Sequence, residues 1–138
     1  MTGYRLEEQV GFLIRRAHQR ASAIFADTMA AFEVTPTQLA ALAKLSDVGS
    51  ASQNELGRMT AMDPATISGV AGRLLKRGWV HQTPSPDDGR LIMLQLTREG
   101  AATIEAMKVA GYEVSRRTLE PLSPAERAEF LRLLAKMG

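Results

Sequence analysis

The chain has 138 residues, no cysteine and a formal net charge of +2, with 45% hydrophobic and 23% charged residues. These figures describe one folded domain, and they exclude disulfides, cysteine nucleophiles, thiolate metal sites and thiol-oxidation sensing. Residues 1–8 lack the apolar core of a signal peptide and no stretch approaches 18 uncharged apolar residues, so a cytoplasmic protein with no membrane partner is expected.

Leu6, Val10, Leu13, Ile14, Ala17, Ala21, Ile24, Phe25, Met29 and Phe32 recur at three- and four-residue steps, which predicts one amphipathic helix over about 5–32. At about 1.5 Å per residue, such a helix makes a rod of about 40 Å. That exceeds what a small domain needs for its own core and points to packing against a second subunit. Thr35-Pro36, Asp63-Pro64 and Ser123-Pro124 each place a capping oxygen before a proline suited to the first helical position. Gln38 and Glu126 complete capping boxes, and Ser52 with Glu55 makes a third. Helices are therefore expected near 36–47, 52–60, 64–77 and 123–137, with Gly49 and Gly78 ending two of them.

After Gly78 the period becomes two. Trp79–Thr83 and Leu91–Leu96 read as strands, and Pro84–Arg90 between them as a hairpin tip. Thr97 then caps a helix that runs to about Leu119 before Pro121. The fold class is mainly α with a small β-hairpin wing.

Helix 52–60, a short turn and helix 64–77 have the lengths of a helix-turn-helix. The second helix has a conventional apolar face of Ile67, Val70, Leu74 and Leu75. Elsewhere its first two turns carry Ala65, Thr66, Ser68, Gly69 and Ala71, followed by Arg73. Small and hydroxyl side chains let a helix sit deep in a groove and meet phosphates or base edges. Ser52, Gln53 and Asn54 suit a phosphate at the preceding helix start. At the hairpin tip Arg90 suits a minor groove, with an acid, Asp88, directing it. Each piece has a plainer counterpart: small residues also allow close helix packing, and a hairpin with an arginine is often only solvated. The total charge does not decide, since residues 52–90 carry five cations against four anions. The cations that matter are Arg73 and Arg90, with Lys76 or Arg77 nearby.

Taken together, TPTQLAALAKL (35–45), SQNELGRMTAMDPATISGVAGRLLKRGWV (52–80) and Asp88-x-Arg90 followed by LQLTREG (94–100) resemble the MarR family of winged helix-turn-helix transcriptional regulators. The resemblance covers essentially the whole chain. It implies a single MarR-type domain over 1–138, with a winged lobe at about 36–97 and dimerisation helices at about 5–32 and 98–137. It also implies a homodimer on a pseudo-palindromic operator in double-stranded DNA, usually as a repressor. Carried over by position, Thr66, Ser68, Gly69 and Arg73 face the major groove and Arg90 the minor groove, with Pro64, Ala65 and the 52–54 segment alongside. The chain departs from the family at Gly89, where many members have a second arginine.

Members of the family release DNA when a small ligand binds between the first helix and the DNA-binding lobe. RLEEQVGFLIRRAHQR and TAMDPATISGV resemble regulators of aromatic or heteroaromatic acid catabolism. A carboxylate ligand suits an arginine fork and an imidazole beside an apolar slot. The candidates are Arg15, His18 and Gln19 with Phe25 and Met62, and near them Arg16, Arg20 and Trp79. Three arginines in six residues equally describe a solvated face, and a lone histidine a structural one. His18 and His81 are too thin a set for a metal, and no cofactor is expected. No G-x-S-x-G, P-loop, G-x-G-x-x-G or H-E-x-x-H motif occurs, so no enzyme is expected. The rival is a winged-helix dimer that acts through protein contacts without DNA.

Overall fold

The computed structural model describes residues 3–138; Met1 and Thr2, part of the leader argument above, lie outside the described residues. The expected capping boxes form. Thr35, Ser52 and Ser123 each accept the backbone N–H three residues on, while Gln38, Glu55 and Glu126 return to the cap N–H. Asp63 accepts the Thr66 N–H at 2.7 Å. These caps set α2 (Pro36–Val48), α3 (Gln53–Met59), α4 (Pro64–Lys76) and α6 (Pro124–Met137). Gly49 and Gly78 follow α2 and α4 with φ of +84° and +75°, where glycine avoids the Cβ penalty. Thr97 opens α5 (Arg98–Thr118): its hydroxyl accepts the Gly100 N–H at 3.0 Å and donates to the Gly78 carbonyl at 2.6 Å.

The first segment is shorter than its apolar spacing predicts. Leu6–Glu8 is a separate 3₁₀ turn, α1 spans Val10–Thr28, and Ala30–Phe32 is a second 3₁₀ turn. Nineteen helical residues give a rod of about 28 Å rather than 40 Å. The break falls at Gln9, whose backbone is extended at φ −87° and ψ 137°. Its side-chain amide folds back onto the Arg5 carbonyl at 2.9 Å, closing the first turn on itself.

The hairpin of β2 (Val80–Pro84) and β3 (Ile92–Leu96) gains a third strand that was not expected, β1 (Ser50–Ser52). The sheet is antiparallel in the order β1-β3-β2, with Ala51 opposite Leu94 and Val80 opposite Leu96. Three residues, Ser-Ala-Ser, are too few for alternation to register in the sequence. The Gly49 turn delivers them to the edge of β3.

The chain divides into two compact units, Ala31–Ala110 and the terminal segments up to Ala30 and from Gly111. The winged unit, residues 31–110, has a closed core of Leu42, Leu45, Leu56, Ile67, Leu74, Ile104 and Met107. Gly100 permits the start of α5 to touch the backbone just before β2, since a Cβ there would lie 2.0 Å from the Trp79 carbonyl oxygen. In the terminal unit only Phe25 and Met29 are buried among the described residues. Arginines staple it: Arg20 donates to the Arg117 and Thr118 carbonyls at 2.8 and 3.3 Å. Arg117 in turn reaches Asp27 and Thr28, each at 2.7 Å. Among the described residues, no helix is long and apolar enough to cross a membrane.

Candidate nucleic-acid interface

Between α3 and α4 the backbone turns through Ala61 at φ +57°. The Thr60 hydroxyl donates to the Leu56 carbonyl at 2.6 Å, and the Met62 N–H to the Gly57 carbonyl at 2.8 Å. Asp63 and Pro64 then start α4 within one residue of that turn. One face of α4 buries Ile67, Val70, Ala71 and Leu74. Ala71, counted above among the groove-facing small residues, belongs instead to the core, and Leu75, counted as core, is half-buried. Pro64, Ala65, Thr66, Ser68, Gly72 and Arg73 are exposed and Gly69 is half-buried. Over its first two turns this exposed face carries nothing larger than proline or threonine, so the helix axis can approach a partner closely. The Arg73 guanidinium lies back along the helix: a Cβ at Gly69 would sit 3.2 Å from its Nη1. Ser68, Gly69, Gly72, Arg73, Leu75 and Lys76 line one shallow groove on this face.

The start of α3 is less available than the sequence suggests. Ser52 is only 7% exposed and its hydroxyl oxygen accepts the Glu55 N–H, so it serves as a cap rather than as open surface. Gln53 is half-buried and Asn54 exposed. Asn54 lines a pocket with Gly57, Arg58, Met62, Pro64 and Ile67. Arg58, a cation in the first helix of the helix-turn-helix, joins this lining without a sequence pattern that marks it.

Hydrogen bonding in the caps also sets their charge. The Thr66 backbone and hydroxyl hold the Asp63 carboxyl below the usual carboxylate range, and the Ser52 hydroxyl and backbone do the same for Glu55. Both hydrogen-bond sets favour the charged carboxylate, Asp63 at the N-cap of α4 and Glu55 in the first turn of α3, where the helix dipole favours negative charge.

At the wing tip, Asp88 directs Arg90. Its Oδ1 accepts the Arg90 backbone N–H at 3.0 Å and faces the guanidinium Nε at 3.4 Å, while the arginine side chain remains 94% exposed. The expected acid–arginine pairing is present. Arg77, expected as a cation near the interface, is engaged elsewhere: it donates to the Phe32 and Glu33 carbonyls and stacks on Trp79.

The candidate ligand residues fall in both units. On α1, Arg15 and Gln19 are exposed, Phe25 is buried, and His18 lies 3.4 Å from the Ser22 hydroxyl. His18 also lines an apolar groove of about 360 Å³ with Val10, Leu13, Ile14, Phe130 and Leu134. Arg20 is occupied by the α5 carbonyls. Met62 and Trp79 belong to the winged unit, Met62 in the Asn54 pocket and Trp79 under Arg77.

A capped helix, a tight turn, a second helix with a small-residue outer face, and a hairpin presenting a directed arginine define a winged helix-turn-helix. Residues 34–92 match the family model described as MarR family. The chain is 40% identical over 136 residues to the HTH-type transcriptional repressor NicR of Pseudomonas putida, covering 99% of this chain and 86% of that one. This chain belongs to the MarR family. A probable transcriptional regulator from Pseudomonas aeruginosa superposes with a TM-score of 0.94 at 46% identity, over 97% of this chain and 100% of that one. BpsR of Bordetella bronchiseptica, whose structure concerns regulation of its DNA binding by 6-hydroxynicotinic acid, superposes with a TM-score of 0.93. It is 38% identical, over 99% of this chain and 97% of that one.

Proposed function

We propose that this chain is a homodimeric, sequence-specific DNA-binding repressor in the cytoplasm, without catalytic activity, released from its operator by a small aromatic or N-heteroaromatic acid. The observation that carries this reading is α4, with its buried apolar face and an outer face of Ala65, Thr66, Ser68, Gly69 and Arg73. Such a helix fits a major groove, with Thr66, Ser68 and Arg73 meeting base edges or phosphates. Pro64 lies at its leading end and Asn54 beside it, and Arg90, aimed by Asp88, enters the adjacent minor groove. Exposed apolar side chains on α1 and α6, among them Leu13, Ile14, Leu131 and Leu134, favour a second copy as partner. Two copies place two recognition helices on half-sites about one helical turn apart, hence a pseudo-palindromic operator.

Likeness to NicR and BpsR favours an acid ligand of the 6-hydroxynicotinic type. Arg15, His18 and Gln19 offer a cation, an imidazole and an amide within little more than one turn of α1 for its carboxylate and ring substituents, and Phe25 and Met62 are the apolar candidates. The acid acts by preferring a dimer shape whose helices no longer match two successive major grooves.

A gel shift with the region upstream of its own gene, repeated between about 50 and 200 mM salt, tests the DNA reading. Binding that weakens steeply with salt is expected. Absent or salt-insensitive binding favours a winged-helix dimer working through protein contacts. For the ligand, His18→Ala that leaves acid-induced release unchanged removes His18 from the site.

A further inference from the structure

Arg77 immediately follows α4, and its guanidinium makes three contacts at once. Nη2 donates to the Phe32 carbonyl at 2.8 Å and Nη1 to the Glu33 carbonyl. The guanidinium carbon lies 3.7 Å from the centroid of the Trp79 ring. Glu33 sits in the left-handed region at φ +51°, which few residues other than glycine adopt, and both carbonyls of this turn face the same cation. Trp79 is itself buried, and its carbonyl accepts the Thr97 N–H at 3.0 Å. One planar cation thus fastens the segment by which the chain enters the winged unit to the end of α4 and the approach to β2.

Arginine suits this position and lysine does not. Two parallel donors must meet successive carbonyls while the plane stacks on an indole, and an ammonium offers neither the fork nor the flat face. Helix α4 is the proposed recognition helix, and residues 30–33 are the segment by which the chain passes from α1 into α2, so the clamp ties that segment to the end of α4 across the fold rather than along the chain. A movement of the chain before residue 31 therefore either carries the end of α4 along or breaks the clamp. A contact intact in one dimer shape and broken or shifted in the other is how a distant ligand obtains a hold on DNA affinity.

We propose that Arg77 is a positioning residue that couples effector binding to the setting of the recognition helix, through the Phe32–Glu33 carbonyls and Trp79. This rests on the DNA-binding, acid-released reading above.

The test uses the full-length protein, its upstream DNA and 6-hydroxynicotinic acid as the probe, with Arg77→Ala and Arg77→Lys beside the wild type. Three quantities are read: the Kd for DNA without acid, the factor by which acid raises it, and the emission of Trp79, the chain's single tryptophan. In Arg77→Ala the acid factor is expected to fall by about fivefold or more, while the acid-free Kd moves by less than about threefold. The acid-induced change in Trp79 emission shrinks in parallel. A merely structural arginine would lower the melting temperature and weaken DNA binding while leaving the acid factor at its wild-type value, and that result overturns the proposal. If Arg77→Ala does not melt cooperatively, Arg77→Lys decides: a reduced acid factor supports the clamp, and a wild-type factor refutes it. A wild-type protein that shows no acid response overturns the functional reading and the clamp together, and that failure is visible before any variant is made.

Discussion

The two units of this chain solve the burial problem differently. The winged unit closes its core on itself, with Leu42, Leu56, Ile67, Leu74 and Ile104 all but inaccessible, and its surface is polar where a partner is proposed to sit. The terminal unit leaves Leu13, Ile14, Leu131, Leu133 and Leu134 between 43% and 53% exposed, although their helices are regular and its arginine staples are in place. Hydrogen bonds from Arg20 and Arg117 thus join helices whose apolar side chains stay half exposed. The contrast teaches that the winged unit is built to present a surface and the terminal unit to receive one.

The largest effect is expected from breaking the receiving surface. Phe130→Asp combined with Leu134→Asp should convert a dimer to a monomer in sedimentation and weaken operator binding by about 100-fold or more, because two linked half-sites become independent. The winged unit should stay folded in the same variant, seen as a retained cooperative melt.

Next comes the presenting surface. Arg73→Ala should lower operator affinity by about 5- to 150-fold with no change in oligomeric state, the range for losing a base or phosphate contact. Fluorescence anisotropy against operator and scrambled DNA separates the two contact types. Equal loss on both marks a phosphate contact, and loss confined to the operator marks a base contact.

Within the winged unit, Gly100→Ala probes the closed core alone. The added Cβ meets backbone, the Trp79 carbonyl, so it cannot be relieved by a rotamer change. A destabilisation of about 1–3 kcal/mol is expected from overpacking, read as a lower denaturation midpoint with an unchanged slope.

The caps predict a pH dependence of known sign. Asp63, Glu55 and Glu126 have carboxyls held below their ordinary values by hydrogen bonds in the folded state. Their contribution is complete above the unfolded carboxylate range and is lost as pH falls through the lowered folded values. The melting temperature should therefore be flat from about pH 7 to 5 and decline below about 4. Asp63→Asn, which still caps but does not titrate, should make that decline shallower.

The smallest effect is a gain. A Cβ at Gly89 would meet nothing within 4 Å, so this is a position at which Gly89→Arg adds a cation to each wing. It should tighten binding a few-fold at low salt and steepen the salt dependence by about one per added phosphate contact.

Much of the winged unit was legible because its boundaries are written in local chemistry. Thr35, Ser52, Asp63 and Thr97 each cap a backbone N–H three residues on, as Ser123 does in the terminal unit, and Gly49 and Gly78 mark the turns that end two of these helices. Features that depend on distant or very short partners were not legible. Strand β1 exists because β3 lies beside it, and its three residues carry no pattern of their own. Arg77 looks like any cation at a helix end until the Phe32 and Glu33 carbonyls, more than 40 residues earlier, are brought to it. The first helix is shorter than its pattern for a related reason: apolar periodicity continues across Gln9, while the helical backbone does not. Ser52 shows the converse, since a hydroxyl that reads as a phosphate contact is occupied in its own capping box.

One dimer is expected to bind DNA and an aromatic acid at each other's expense. The most direct measurement is an anisotropy titration of the chain's own upstream DNA at fixed salt, repeated at rising 6-hydroxynicotinic acid, with the acid's affinity measured in turn with and without that DNA. The acid is expected to raise the DNA Kd in a saturable way, and DNA to weaken acid binding by the same factor. DNA binding that does not change when the acid is bound would contradict it.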